Sequence, residues 1–155
     1  MVDRLDADLL ALLHDEPRVG MLEASRRLGV ARGTVQARVD RLERTGVVTG
    51  YGPDLDPAAL GFSVTAFATL EIRQGAGRRR VTARLTAIPE VLEAHTISGT
   101  GDVLCRIVAR DNTDLQRVID EVVAGEDIVR TSTVIVLTTE VPYRTQPLLR
   151  AARSS

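Results

Sequence analysis

Leu5, Leu9, Leu12 and Leu13 recur at helical spacing between Asp3 and His14, which predicts an amphipathic helix over that stretch. Asp3 stands where an N-cap is needed, and Asp6 and Asp8 lie near the positive end of the helix. Pro17 ends this region. Gly20 then opens a second short helix, with Leu22, Ala24 and Leu28 expected to face inward and Gly29 suited to the left-handed turn that closes it. A third helix, Arg32 to Thr45, carries Val35, Val39 and Leu42 on one stripe and stops at Gly46.

The pattern then changes. Val47 to Tyr51 reads as a strand, and Gly50, Gly52, Pro53, Asp54, Asp56 and Pro57 make up the richest turn-forming stretch in the chain. A domain boundary is expected there: a helix-turn-helix domain over 1–50, a linker over 51–61 and a second domain over 62–155. From Phe62 to Ile72 the period is two, with Val64, Ala66, Ala68, Leu70 and Ile72 on one face. Val81, Leu85 and Ile88 mark a helix stopped by Pro89. Val91 to Ser98 and Asp102 to Ala109 form a hairpin around Gly99-Thr100-Gly101, and Leu115, Val118, Ile119 and Val122 define another helix. Val129 to Val141 is rich in Val, Ile and Thr and reads as the last strand. The predicted fold class is α+β: an N-terminal winged helix-turn-helix followed by a ferredoxin-like βαββαβ domain.

Composition narrows the function. The 155 residues are 44% hydrophobic and 26% charged, as in ordinary globular domains. No apolar run approaches the roughly 20 residues of a membrane helix, and Met1 is followed by an acidic helix rather than a leader pattern, so the chain reads as cytoplasmic and unprocessed. The single cysteine, Cys105, sits in an apolar strand and excludes a disulfide framework or a cysteine-based zinc site. No metal site and no cofactor is expected. All basic residues are arginine, and the net charge of −1 predicts no generally basic surface.

Any nucleic-acid footprint must therefore be local, and one place offers it. Met21 to Arg41 meets the steric demands of a helix-turn-helix, with small Ser25 where helices cross, Gly29 in the turn, and Val30 and Val35 locking the second helix down. From Arg26 to Arg44, the six arginines Arg26, Arg27, Arg32, Arg38, Arg41 and Arg44 face only Asp40 and Glu43, a local balance of +4. Such clustering suits phosphate contact. Arg32, Gly33, Thr34, Gln36, Arg38 and Arg41 are the candidate DNA-contacting residues. Arg pairs with guanine, Gln with adenine, Thr meets phosphate or a thymine methyl, and Gly33 permits close backbone approach. Arg38 also has a position where an inward side chain is common. The bland alternative is a solvated face of a helical bundle. The other basic run, Arg78-Arg79-Arg80, reads as a solvated helix start.

These features resemble the Lrp/AsnC, or feast/famine, family of regulators nearly end to end. The likeness is carried by Asp3-Arg4-Leu5-Asp6, by Arg41-Leu42-Glu43-Arg44-Thr45-Gly46-Val47-Val48-Thr49-Gly50-Tyr51, by Leu60-Gly61, by Ser98-Gly99-Thr100-Gly101-Asp102, which is similar to the family's G-x-x-D effector loop, and by Thr131-Ser132-Thr133. The resemblance implies an operator-binding regulator that dimerises through its α+β domains, frequently assembles further to octamers, and holds an amino acid or related metabolite between subunits. Gly99, Thr100, Gly101, Asp102, Thr131 and Thr133 are the effector-binding residues it implies. The loop's backbone N–H groups suit a carboxylate, Asp102 an ammonium group, and the two threonines share a strand face. A plain hairpin turn stabilised by Asp102 is the competing reading. Two departures stand out: Ala31 replaces the family's frequent Ser cap, and Thr100-Gly101 replaces a more acidic and aromatic loop. Two other functions remain open. One is an enzyme resembling sirohaem decarboxylases, for which His95 is the sole candidate acid or base; the other is a metabolite-binding module that does not bind DNA.

Overall fold

The computed structural model describes residues 2–73 and 77–152, which fall into two compact units, one formed by the chain up to Pro53 together with the segment from Val141 onward, the other by Asp54–Glu140. In the first unit α1 (Arg4–Asp15), α2 (Met21–Leu28) and α3 (Arg32–Arg44) pack around Leu9, Ala24, Val35, Val39 and Leu42. Asp3 and Asp6 form a reciprocal capping box on α1, each backbone N–H donating to the other's carboxylate at 2.9 Å. Gly29 closes α2 at φ 66°, a left-handed conformation that glycine adopts without strain. Ser25 is buried where the helices cross, its Oγ donating to the Leu22 carbonyl at 2.7 Å. Ala31 caps α3 with no side-chain bond, and the Thr34 N–H reaches the Ala31 carbonyl at 2.9 Å.

Three expectations for this unit need correction or extension. Leu22 points outward, 51% exposed, because the inward row of α2 is Met21, Ala24, Ser25 and Leu28 at helical spacing. Val47 to Tyr51 forms no strand: the Val47 and Val48 N–H groups fold back on the Leu42 carbonyl at 2.9 and 3.1 Å, and a β-rich segment without a pairing partner has nothing to ladder with. The chain beyond Val141 returns to this unit, where the short α6 (Gln146–Ala152) packs on α1 and Gln146 Nε2 meets His14 Nδ1 at 3.2 Å.

The second unit has the predicted βαββαβ order. β1 (Val64–Ile72), β2 (Val91–Thr96), β3 (Val103–Ala109) and β4 (Ile128–Ile135) form an antiparallel sheet in the order β2-β3-β1-β4, with α4 (Gly77–Ala87) and α5 (Asn112–Val123) as the two connecting helices. Ala66, Ala68, Leu70 and Ile72 of β1 meet Val81 and Leu85 of α4 and Leu115, Val118 and Val122 of α5 in one core. Cys105 is buried in it, and burial pushes its thiol up to about 11, as expected of a structural cysteine. The opposite sheet face, which carries Thr65, Phe67, Thr69, Leu104, Arg106 and Val134, is covered by neither helix. Beyond Ile135 the last predicted strand is shorter than its sequence suggested; only the Val136 N–H still reaches β1, at Thr65.

Candidate nucleic-acid interface and effector loop

α3 is fixed by its apolar stripe, Val35, Val39 and Leu42, each at most 6% exposed. Burial of that stripe leaves Arg32, Gly33, Thr34, Gln36, Ala37, Asp40 and Arg44 exposed on the other side of the helix. The four N-terminal reader candidates are therefore all open to solvent. Gln36 donates from Nε2 to Asp40 Oδ1 at 2.8 Å, so its amide is already oriented by the next turn. Arg32 and Arg44 form no ion pair among the described residues.

Arg38 and Arg41 have a different setting. Arg38 Nη1 donates to both Asp3 oxygens, at 2.8 and 2.7 Å, and to Asp6 Oδ1 at 2.6 Å, while Arg41 Nη2 donates to Asp6 Oδ2. Asp6 is fully buried. Burial alone would raise its carboxyl, but the hydrogen bonds from Arg41, the Asp3 N–H and Arg38 outweigh that and hold it at about 2. The Arg38 bond likewise lowers the Asp3 carboxyl, and Asp3 and Asp6 together raise Arg38. Counting charges along the chain missed this, because the compensating acids lie 35 and 32 residues upstream of Arg38. Arg27 is similarly paired to Glu16 and Glu23, and Glu43 accepts from the Tyr51 hydroxyl at 2.7 Å. The uncompensated positive charge of α3 is therefore concentrated at its two ends, Arg32 and Arg44.

In the second unit Gly99 and Gly101 take φ 107° and 88°, positive values that favour glycine. At Gly101 a Cβ would collide with the Thr69 side chain and come within 3.3 Å of the Leu70 carbonyl, so the loop sits against β1 at a distance only glycine allows. Asp102 stitches this loop down: its N–H donates to the Leu70 carbonyl at 2.8 Å and its Oδ2 accepts the Ile72 N–H at 2.7 Å. Its Oδ1 faces Arg78 Nη2 at 4.0 Å, and Arg78 Nη1 donates to Thr96 Oγ1 at 2.9 Å. Asp102 is thus engaged as the turn-stabilising reading requires, with one oxygen turned toward a guanidinium. Thr131 and Thr133 lie opposite Leu70 and Ala68 on β4. Loop and threonines flank the same end of β1 from opposite sides, about 10 Å apart at two strand spacings. Arg78 and Thr96 were missed as neighbours of the loop, since α4 meets β2 only through the tertiary fold. Thr96 also lines a concavity of about 290 Å³ between α4 and β2, with Thr82, Thr86 and Ala94.

His95 lies on the edge strand, exposed, with Nε2 3.1 Å from Glu93 Oε2; Arg106 Nη1 reaches the other Glu93 oxygen at 3.1 Å. Among the described residues no cluster of His, Cys, Asp or Glu is arranged to hold a metal ion, and no helix is long and apolar enough to cross a membrane.

A helical unit that presents a supported third helix, followed by an α+β unit with a glycine-built loop, defines a two-part regulator. The comparisons agree. Residues 2–49 match the model of a winged helix-turn-helix DNA-binding domain, and residues 65–146 match the Lrp/AsnC ligand binding domain. The chain belongs to the Lrp/AsnC family of transcriptional regulators. It is 30% identical to the HTH-type transcriptional regulator AldR of Mycolicibacterium smegmatis, over 87% of this chain and 81% of that protein. It is 29% identical to the regulatory protein AsnC of Escherichia coli, over 88% and 91% of the two chains. The solved structure of E. coli AsnC superposes with a TM-score of 0.87 at 27% identity, covering 95% of this chain and 99% of that one. A feast or famine regulatory protein of M. tuberculosis, solved in complex with L-methionine, superposes with a TM-score of 0.81 at 27% identity, covering 94% and 98%.

Proposed function

We propose that this chain is a cytoplasmic, homodimeric regulator that binds operator DNA through α3 and responds to an amino acid or a related small metabolite. The observation that carries the DNA half is the exposure of Arg32, Gly33, Thr34 and Gln36 on a helix whose apolar stripe is locked into the core. In this reading Arg32 and Gln36 meet base edges, Gly33 lets the backbone come close, and Thr34 takes a phosphate. Arg38 and Arg41, tied to Asp3 and Asp6, act on the phosphate side and hold α3 in place.

Dimerisation is supported by the sheet face that neither helix covers. Val134 is 62% exposed there, and the Arg106 Nε is buried without a hydrogen-bond partner, a group that a second copy can satisfy. Two copies place two recognition helices about one turn of duplex, roughly 34 Å, or a multiple of it apart. The amino-acid class is supported by the M. tuberculosis relative's complex with L-methionine. Here Gly99 to Gly101 offer backbone N–H groups to a carboxylate, Asp102 contributes loop geometry, and Thr131 and Thr133 contribute hydroxyls.

Retardation of promoter fragments across a salt series tests the DNA half. The expected outcome is salt-sensitive binding that Arg32→Ala weakens and makes less selective while the fold is unchanged; a variant that keeps the wild-type affinity and the wild-type preference among duplexes would remove α3 from the reading. Calorimetry with the twenty amino acids tests the sensing half. A ligand whose heat disappears in Thr131→Val and Thr133→Val, and which shifts DNA affinity, is the outcome expected.

A further inference from the structure

Asp3 pairs with Arg38 at the rim of an open concavity beside α3. Asp6 and Asp3 differ in one respect: Asp6 is fully buried and holds both Arg38 and Arg41, whereas the Asp3 side chain is 54% exposed and holds Arg38 alone. Arg38 uses only Nη1 on these acids, and its Nε and Nη2 make no hydrogen bond among the described residues. The guanidinium borders an open concavity of about 500 Å³ lined by Asp3, Gly33, Thr34, Ala37, Arg38 and Arg41, which adjoins the reader row of α3. An anion entering there meets two guanidinium groups whose charge two carboxylates already cancel. One of those carboxylates is removable without disturbing the buried pair.

We propose that Asp3 is an internal competitor of a DNA phosphate for Arg38, and that it lowers the affinity of the helix-turn-helix for DNA. The proposal rests on the DNA-binding reading above. A phosphate approaching Arg38 must displace or share the Asp3 carboxylate, so the contact forms at reduced gain and releases fewer counterions than a free arginine would. Asp3 is then a positioning residue that trades affinity for a weaker, more reversible grip.

Asp3→Asn tests this cleanly, because asparagine caps a helix as well as aspartate and the Asp6 N–H keeps its acceptor. Binding to a promoter fragment and to random duplex is measured for wild type, Asp3→Asn, Arg38→Ala and the double variant, each from low to high salt, with circular dichroism to check the fold. The expected result is a gain of roughly three- to fivefold in affinity for both duplexes, the scale of one exposed ion pair, with a salt slope steeper by about 0.9. The gain must vanish when Arg38 is alanine. Unchanged or weaker binding by folded Asp3→Asn overturns the proposal, and so does a gain that survives Arg38→Ala, which would be a general charge effect. Failure of the wild-type protein to bind any duplex with salt sensitivity would instead overturn the DNA-binding reading itself.

Discussion

In the second unit fourteen buried apolar residues, from Ala66 to Val122, form the described core, whereas in the first unit five do, and beside them lies a fully buried aspartate. The smaller core is completed by charge. Asp6 draws Arg38 and Arg41 of α3 onto the start of α1, and their hydrogen bonds help keep its buried carboxylate ionised. The second unit keeps its ions at the periphery: Asp127 is nearly buried, but its partner Arg80 is 64% exposed, and the bond clasps α4 to the start of β4 outside the core. In the helical unit a buried carboxylate held by two partly exposed guanidinium groups stands beside the apolar residues, whereas the sheet unit fills its core with apolar side chains alone.

Removing Asp6 gives the largest effect. Asp6→Ala removes the acceptor that Arg38 and Arg41 share, and a loss of about 2 to 3 kcal/mol is expected, read by denaturant unfolding and by amide exchange in α1 to α3. Exchange protection in β1 and β3 should persist; uniform loss across both units would break the comparison. The next effect comes from the other unit. Gly101→Ala forces a positive φ and a clash with Thr69, and a loss of about 2 kcal/mol or more is expected, confined to the sheet.

Acid should separate the units as well. The Asp6 carboxyl lies at about 2 in the folded protein against an ordinary 3.8, so its contribution is fully present above about pH 4 and is lost as pH falls toward 2. The shift corresponds to roughly 2 kcal/mol. The helical unit should lose exchange protection first on acidification; a sheet that opens before it would contradict the assignment. The smallest effect is at Asp102. Asp102→Asn keeps an acceptor for the Ile72 N–H while losing the charge opposite Arg78, so stability should fall by less than about 1 kcal/mol, and any larger change would have to appear in ligand binding.

The ferredoxin-like order was legible because β1 alternates cleanly and α5 repeats its apolar residues at helical spacing, signals that tertiary packing only reinforces. Leu22 misled because an eight-residue helix gives too few turns to fix its inward row by pattern. The strand expected at Val47 had β-forming residues but no partner, and partners are a property of the fold. α6 was not foreseen, since seven residues carry little periodicity and are held by α1. At the site, the exposure of Arg32, Gly33, Thr34 and Gln36 followed from the spacing of Val35, Val39 and Leu42. The neutralisation of Arg38 and Arg41 was not, because Asp3 and Asp6 looked sufficient as helix caps and only the packing of α1 on α3 reveals their second task. Asp102 was read both ways from sequence, and its bond to the Ile72 N–H gives it a definite structural role.

The central claim is that α3 reads operator DNA. Sheared genomic DNA from the source organism, bound to the purified protein at moderate salt and sequenced alongside the Arg32→Ala variant, tests it most directly. Retained fragments are expected to share a short motif, repeated about one helical turn or a multiple apart, and the motif is expected to degrade in the variant. Retention of fragments with no enrichment over input, or the same motif recovered undiminished with Arg32→Ala, would contradict it.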